Sequence, residues 1–169
     1  MNIKPPLALA QWQPLILLKA REHKFDPCLL GALCWQESSG DQDAIRYEPA
    51  FTWFFALDRG PLHDKRLTTA QNRQKAEAIL GTEEFNFQSA SHGLYEVMGA
   101  IFRELNFRGS MNEAYIPEVN IEYGCRHLRV CLKRARGDLR GALLRYNGGG
   151  NLDYPQEVLD KAEILAQEV

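Results

Sequence analysis

Between Asp26 and Gly40 the chain carries one run that constrains everything around it. Cys28, Leu29, Leu30, Ala32, Leu33 and Trp35 make it hydrophobic nearly all round at a helical period. Such a helix has no face to give to water, so other elements must pack on every side of it. Asp26–Pro27 starts it, with the proline inside the first turn, and Ser38–Ser39–Gly40 stops it. Glu37 sits at its end. A carboxylate there loses solvation, which raises its pKa. A raised carboxyl is what a general acid needs near neutral pH. From position alone, an exposed glutamate at a helix end is the commoner role.

The remaining segments read as mostly helical. Pro14 to His23 forms an opening helix. Asp41 to Leu67 shows no period and carries Tyr47, Phe51, Trp53, Phe54 and Phe55, which reads as a long aromatic loop with a short hairpin or helix. Aromatic faces with polar tips suit sugar rings, although most such residues fold back onto a core. Thr68 and Gln71 make a capping start for a helix to Leu80, and Gly81 stops it. Leu94, Val97, Met98, Ile101, Phe102 and Leu105 recur at i, i+3, i+4, i+7, i+8 and i+11, which predicts an amphipathic helix. Pro117 opens a helix with Ile121, Cys125, Leu128 and Leu132 on one stripe. Asp138 caps a shorter one through Leu139, Ala142, Leu143 and Tyr146. Tyr146–Asn147–Gly148–Gly149–Gly150–Asn151 is a loop of permissive backbone. No strand precedes it and no Lys–Ser/Thr follows it, so it is not a phosphate loop. A last helix carries Val158, Leu159, Ala162 and Leu165 inward.

Composition narrows the function classes. Its 169 residues, 45% hydrophobic and 25% charged, suit a single domain over 1–169. Twenty Lys+Arg against 22 Asp+Glu give a net charge of −2, a poor balance for nucleic acid, despite the basic stretch from Arg126 to Arg140. No unbroken apolar run supports a signal peptide or a membrane span. Synthesis in a cytoplasm without processing, no membrane insertion and a monomeric state are therefore expected. The four cysteines, Cys28, Cys34, Cys125 and Cys131, read as small buried residues, with a bridge between the two segments as the alternative in an oxidising place. His23, His63, His92 and His127 show no ligand spacing, so neither a metal nor a cofactor is expected.

Four ordered blocks then resemble the soluble lytic transglycosylase catalytic domain of the lysozyme-like superfamily, beside goose-type lysozyme. They are Glu37–Ser38–Ser39–Gly40; Gly93–Leu94–Tyr95–Glu96–Val97–Met98; Asn120–Ile121 with Gly124 and Leu128; and Ala142–Leu143–Leu144–Arg145–Tyr146–Asn147–Gly148–Gly149. Arg46–Tyr47–Glu48–Pro49 is similar to a block of a phage-associated branch of that family. Two departures stand out: a longer gap from Glu37 to Gly93, and Glu96 where the family has Gln.

The resemblance implies a mostly α, lysozyme-like fold that cleaves the β-1,4 bond between N-acetylmuramic acid and N-acetylglucosamine in peptidoglycan. Glu37 would act first as acid and then as base on the 6-hydroxyl, closing an anhydro ring, with no cofactor. Tyr146 is expected near the reacting centre. Glu96, Met98, Asn147, Tyr47 and Ser39 fall at groove positions. Action on the bacterial wall or periplasm, by a phage-encoded or virion-associated protein, is the corresponding expectation. A hydrolytic muramidase would need a second carboxylate, about 5–5.5 Å from the first if retaining and about 6.5–9.5 Å if inverting. Glu48 leads there, with a salt bridge to Arg46 as its competing role, ahead of Glu96, Asp41 and Asp43. On a helix, Glu96 would point away from the packed stripe. The reading from another class is a non-catalytic wall-binding or virion module that keeps the fold.

Overall fold

The computed structural model describes residues 4–167. The chain runs α1 (Leu7–Ala10), α2 (Gln13–His23), α3 (Pro27–Ser38), β1 (Ile45–Tyr47), β2 (Phe55–Ala56), β3 (Gly60–Pro61), α4 (Thr69–Leu80) and α5 (Thr82–Gln88). It continues with β4 (Ala90–His92), β5 (Val97–Met98), α6 (Gly99–Glu104), a 3-10 turn over Asn112–Tyr115, α7 (Pro117–Arg134), α8 (Leu139–Tyr146) and α9 (Tyr154–Gln167). The fold is mostly helical, as the periodicity predicts.

Three helix starts are chemically explicit. Asp26 accepts from the amides of Cys28 and Leu29 at the head of α3. Thr68 and Gln71 form a reciprocal capping box on α4. Asp138 accepts from Arg140 and Gly141 on α8. Each supplies acceptors to N–H groups that a helix terminus leaves unpaired.

Helix α3 is the central element. Residues Leu29 through Trp35 are all buried, packed against α9, α2 and α1. This core is continuous with Ile121, Cys125 and Leu128 of α7, Leu143 of α8, and Tyr154 and Val158 of α9. A second cluster, Phe54, Ala56, Leu62, Ala76 and Phe85, lies under the β2–β3 hairpin. There Gln88 exchanges hydrogen bonds with both backbone groups of Phe55, at 2.8 and 2.7 Å. Arg73 gathers the aromatic loop: it donates to the carbonyls of Phe51 (2.8 Å) and Glu48 (3.3 Å) and to the Tyr47 hydroxyl.

One predicted element is wrong in its first half. The helix expected to start at Leu94 starts instead at Gly99, and residues 90–98 form an antiparallel hairpin pairing His92 with Val97 and Ser91 with Met98. Strand β1 adds to β4 with Arg46 opposite Ser91. Left-handed backbone at Gly93 (φ +72°) and Glu96 (φ +39°) turns the chain where a helix would need negative φ. A Cβ on Gly93 would also fall 2.4 Å from the Asn120 amide nitrogen. That amide builds the turn: it donates to the carbonyls of His92 (2.8 Å) and Ala114 (3.0 Å), and its oxygen accepts from the Tyr95 N–H (2.9 Å). Apolar spacing fitted to a helix was satisfied by a buried hairpin, because both bury Leu94 and Val97.

Candidate active site

Glu37 occupies the last turn of α3, and the helix end is stitched down on several sides. The Ser38 hydroxyl donates to the Leu94 carbonyl (2.8 Å) and accepts from the Gly40 N–H (3.2 Å). Ser39 turns left-handed to end the helix. The Trp12 indole donates to the Gly40 carbonyl at 2.8 Å. This apposition holds the hairpin turn at residues 93–96 against the carboxylate-bearing end of α3.

The Glu37 carboxylate is half-buried and accepts a hydrogen bond from the Tyr154 hydroxyl of α9. Burial pushes its pKa up to about 7. The Tyr154 hydrogen bond and the Arg46 charge pull the other way, while the negative charge of Glu96 adds to the rise. A carboxyl poised there exchanges a proton near neutral pH in either direction. The Tyr154 phenol is itself pushed far up, by burial first and then by the Glu37 charge, so it stays a donor.

Tyr146 lies beside this pair without bonding to Glu37. Its hydroxyl donates to the Tyr95 carbonyl at 3.0 Å, and the Tyr95 hydroxyl donates to the Leu30 carbonyl at 2.9 Å. The Tyr95 ring lies 2.7 Å from where a Cβ on Gly124 would stand, so only glycine fits that place on α7. Behind Tyr146 the His127 ring packs at 4.7 Å between centroids. Burial drives the His127 pKa down to about 4, which keeps that support neutral.

The acidic residues around Glu37 share one cation. The Arg46 guanidinium forms salt bridges with two of them, its Nε 2.8 Å from Glu48 and its Nη2 3.3 Å from Glu96. The Glu96 side chain is only 10% exposed. Burial raises its pKa and Arg46 opposes the rise. Glu96 thus lies in a tight turn rather than on the expected helix, and of the two directions open to it, a cleft wall or solvent, it takes the one in which its charge reaches Glu37. Asp41 and Asp43 lie exposed in the turn after α3, where Asp41 accepts from the Asp43 N–H.

The other sequence-predicted positions are spread more loosely. Met98 is half-buried at the join of β5 and α6. Asn147 caps α8, and its side-chain oxygen accepts from the Asn151 N–H at 3.1 Å. Tyr47 is 54% exposed with its hydroxyl on Arg73. Ser39 is exposed, and it is Ser38 whose hydroxyl ties α3 to the hairpin. Phe54 is wholly buried, whereas Trp53 is exposed, so the aromatic loop is divided between core and surface. Sequence reasoning missed Tyr154; the only signal for it was a tyrosine at the start of the last apolar helix.

All four cysteines are free. Burial pushes the Cys34 and Cys125 thiols up to about 12 and that of Cys131 to about 11, which makes them inert as nucleophiles. Glu22, His23 and Glu122 converge closely enough to hold a cation, a grouping that sequence spacing does not reveal. Lys19 already places its ammonium 2.7 Å from Glu22 and 3.0 Å from Glu122.

The family model described as Transglycosylase SLT domain matches residues 14–162. The chain belongs to that family. The matched span includes the whole site, from Glu37 on α3 to Tyr154 on α9. Members of the SLT family are peptidoglycan lytic transglycosylases, so an enzyme acting on peptidoglycan is what this fold carries. No curated protein and no solved structure matched the chain. Among the described residues, no helix is long and apolar enough to cross a membrane.

Proposed function

We propose that this SLT domain cleaves the β-1,4 bond between N-acetylmuramic acid and N-acetylglucosamine without consuming water, with Glu37 as both acid and base. The observation that carries the reading is the half-buried Glu37 carboxyl, raised to about 7 and held by the Tyr154 hydroxyl. The protonated carboxyl gives its proton to the glycosidic oxygen as the bond from that oxygen to the muramic acid C1 breaks. The carboxylate left behind takes the proton of the muramic acid 6-hydroxyl, whose oxygen bonds to C1 and closes the 1,6-anhydro ring. Glu37 ends protonated, ready for the next bond. Tyr154 supports the carboxylate between the two transfers, because a hydrogen bond to the charged form stabilises that form. Tyr146 shapes the wall of the site through its bond to the Tyr95 carbonyl. Met98, Asn147, Tyr47 and Ser39 are assigned to the sugar groove.

Hydrolysis is the second reading. Both candidate second carboxylates pair with Arg46, and Glu96 is favoured over Glu48 because it is the more buried of the two and its charge is felt at Glu37. The site of action is the bacterial cell wall, and the Arg46–Pro49 block supports a phage-associated origin.

Purified sacculi digested with wild type and Glu37→Gln, with products read by mass spectrometry, test both readings. Anhydro-muramic ends that disappear in the variant are the expected result. Reducing ends carrying added water would favour hydrolysis. Undiminished cleavage by Glu37→Gln would remove Glu37 from the chemistry. Sacculus binding without cleavage by either protein would leave a non-catalytic wall-binding module.

A further inference from the structure

Arg46 stands on β1, opposite Ser91 of β4, and its guanidinium reaches Glu96 in the turn that the Ser38–Leu94 hydrogen bond holds against the Glu37 end of α3; its charge bears on both Glu37 and Glu96. The registry of the three-stranded sheet puts it there. Strand β4 carries the chain into the turn at residues 93–96, and the left-handed backbone at Glu96 places that carboxyl within 3.3 Å of Nη2. Glu48, two residues along from Arg46, anchors Nε at 2.8 Å. The guanidinium is thus shared between an outer carboxylate and an inner one.

We propose that Arg46 and Glu96 form an opposed charge pair that sets the pH range in which Glu37 is protonated, acting as positioning residues rather than as groups that touch the reacting atoms. The inference rests on Glu37 being the acid of the reaction. The two charges act on Glu37 with opposite sign: ionised Glu96 favours the proton, and Arg46 disfavours it. Family members with glutamine at position 96 lack the first of these. The other titratable groups facing Glu37 do not switch in the same range. Tyr154 from α9 and Tyr146 from α8 both have phenols raised by burial and stay protonated. Cys34, one turn back on α3, is held up to about 12. Glu48 acts on Glu96 and on Arg46, so Arg46 and Glu96 are the charged groups that bear directly on Glu37.

The test follows the titration of the Glu37 side-chain carboxyl by carbon NMR in folded protein, together with the alkaline limb of the pH profile for sacculus cleavage. Glu96→Gln removes the inner negative charge and should move the titration midpoint down. Arg46→Gln removes the positive charge and should move it up. Each displacement should be about half to one pH unit, the size expected for a single charge acting through a partly screened medium. Arg46→Lys keeps the charge and should return the midpoint toward that of wild type. The double variant Arg46→Gln/Glu96→Gln should lie between the two single ones. Displacements in the same direction, or none in either single variant, overturn the proposal. If the NMR midpoints separate as stated while the cleavage limb stays fixed, the charge pair stands and Glu37 is not the acid.

Discussion

Replacing the Glu37 carboxyl should make the protein more stable, and only at high pH. The folded chain holds the Glu37 carboxyl at about 7 against an ordinary 4.5. Between those values the folded state keeps a proton that the unfolded chain has already released, so stability falls as pH rises through that window. Below it both states are protonated and there is no penalty. Above it the penalty is complete, and at about 1.36 kcal/mol per pH unit it amounts to about 3 kcal/mol. Glu37→Gln substitutes a neutral amide of nearly the same shape, whose oxygen can still accept from Tyr154. Urea unfolding at about pH 8 should find the variant more stable by up to about 3 kcal/mol with an unchanged denaturant slope. At about pH 4 the two proteins should unfold together. A variant no more stable at the higher pH, or equally stabilised at both, would refute the claim that burial of this carboxyl is what raises it. A gain of that kind is the cost the fold bears for a poised acid.

Two further perturbations separate the site from its scaffold. Tyr154→Phe deletes a hydrogen bond that favours the ionised carboxylate, so the alkaline limb of cleavage should rise by about one pH unit or more, a charged hydrogen bond being worth about 1.5–3 kcal/mol; a fall in stability with the limb unmoved would make the tyrosine merely structural. Asn120→Ala orphans the carbonyls of His92 and Ala114 and the N–H of Tyr95, all bonded to it at 2.8–3.0 Å. At about 1–3 kcal/mol for each buried group left unpaired, thermal unfolding should show a loss of at least about 3 kcal/mol, and a loss well below that would mean the hairpin turn holds without it.

Local chemistry was the legible part of the fold. Asp26, Thr68 with Gln71, and Asp138 announce helix starts because their partners lie two or three residues away. The buried character of α3 was equally plain, since no face of it could meet water. The hairpin at residues 90–98 was not, because its apolar spacing also fits a helix. What decides between them is the left-handed backbone at Gly93 and Glu96 and a partner amide at Asn120, on another helix. For the site, its setting made Glu37 a candidate, and only the resemblance of the Glu37–Gly40 block set it above an exposed helix-end glutamate. Tyr154 could not be found, because it approaches Glu37 from 117 residues further along the chain, and no period or spacing encodes that meeting. The same holds for Glu96: its contact with Arg46 depends on how β1 aligns with β4.

The pairing of α3 with α9 also has a consequence in time. Helix α3 is made before α9, which follows every other described element, yet Tyr154 and much of the packing around Glu37 come from α9. A ribosome-bound chain that has not yet extruded α9 holds its carboxylate without a hydrogen-bond partner and with one wall of its surroundings missing. Water then reaches the group, and its proton affinity falls back toward that of a free glutamate. The raised proton affinity of Glu37 therefore depends on α9 having docked against α3.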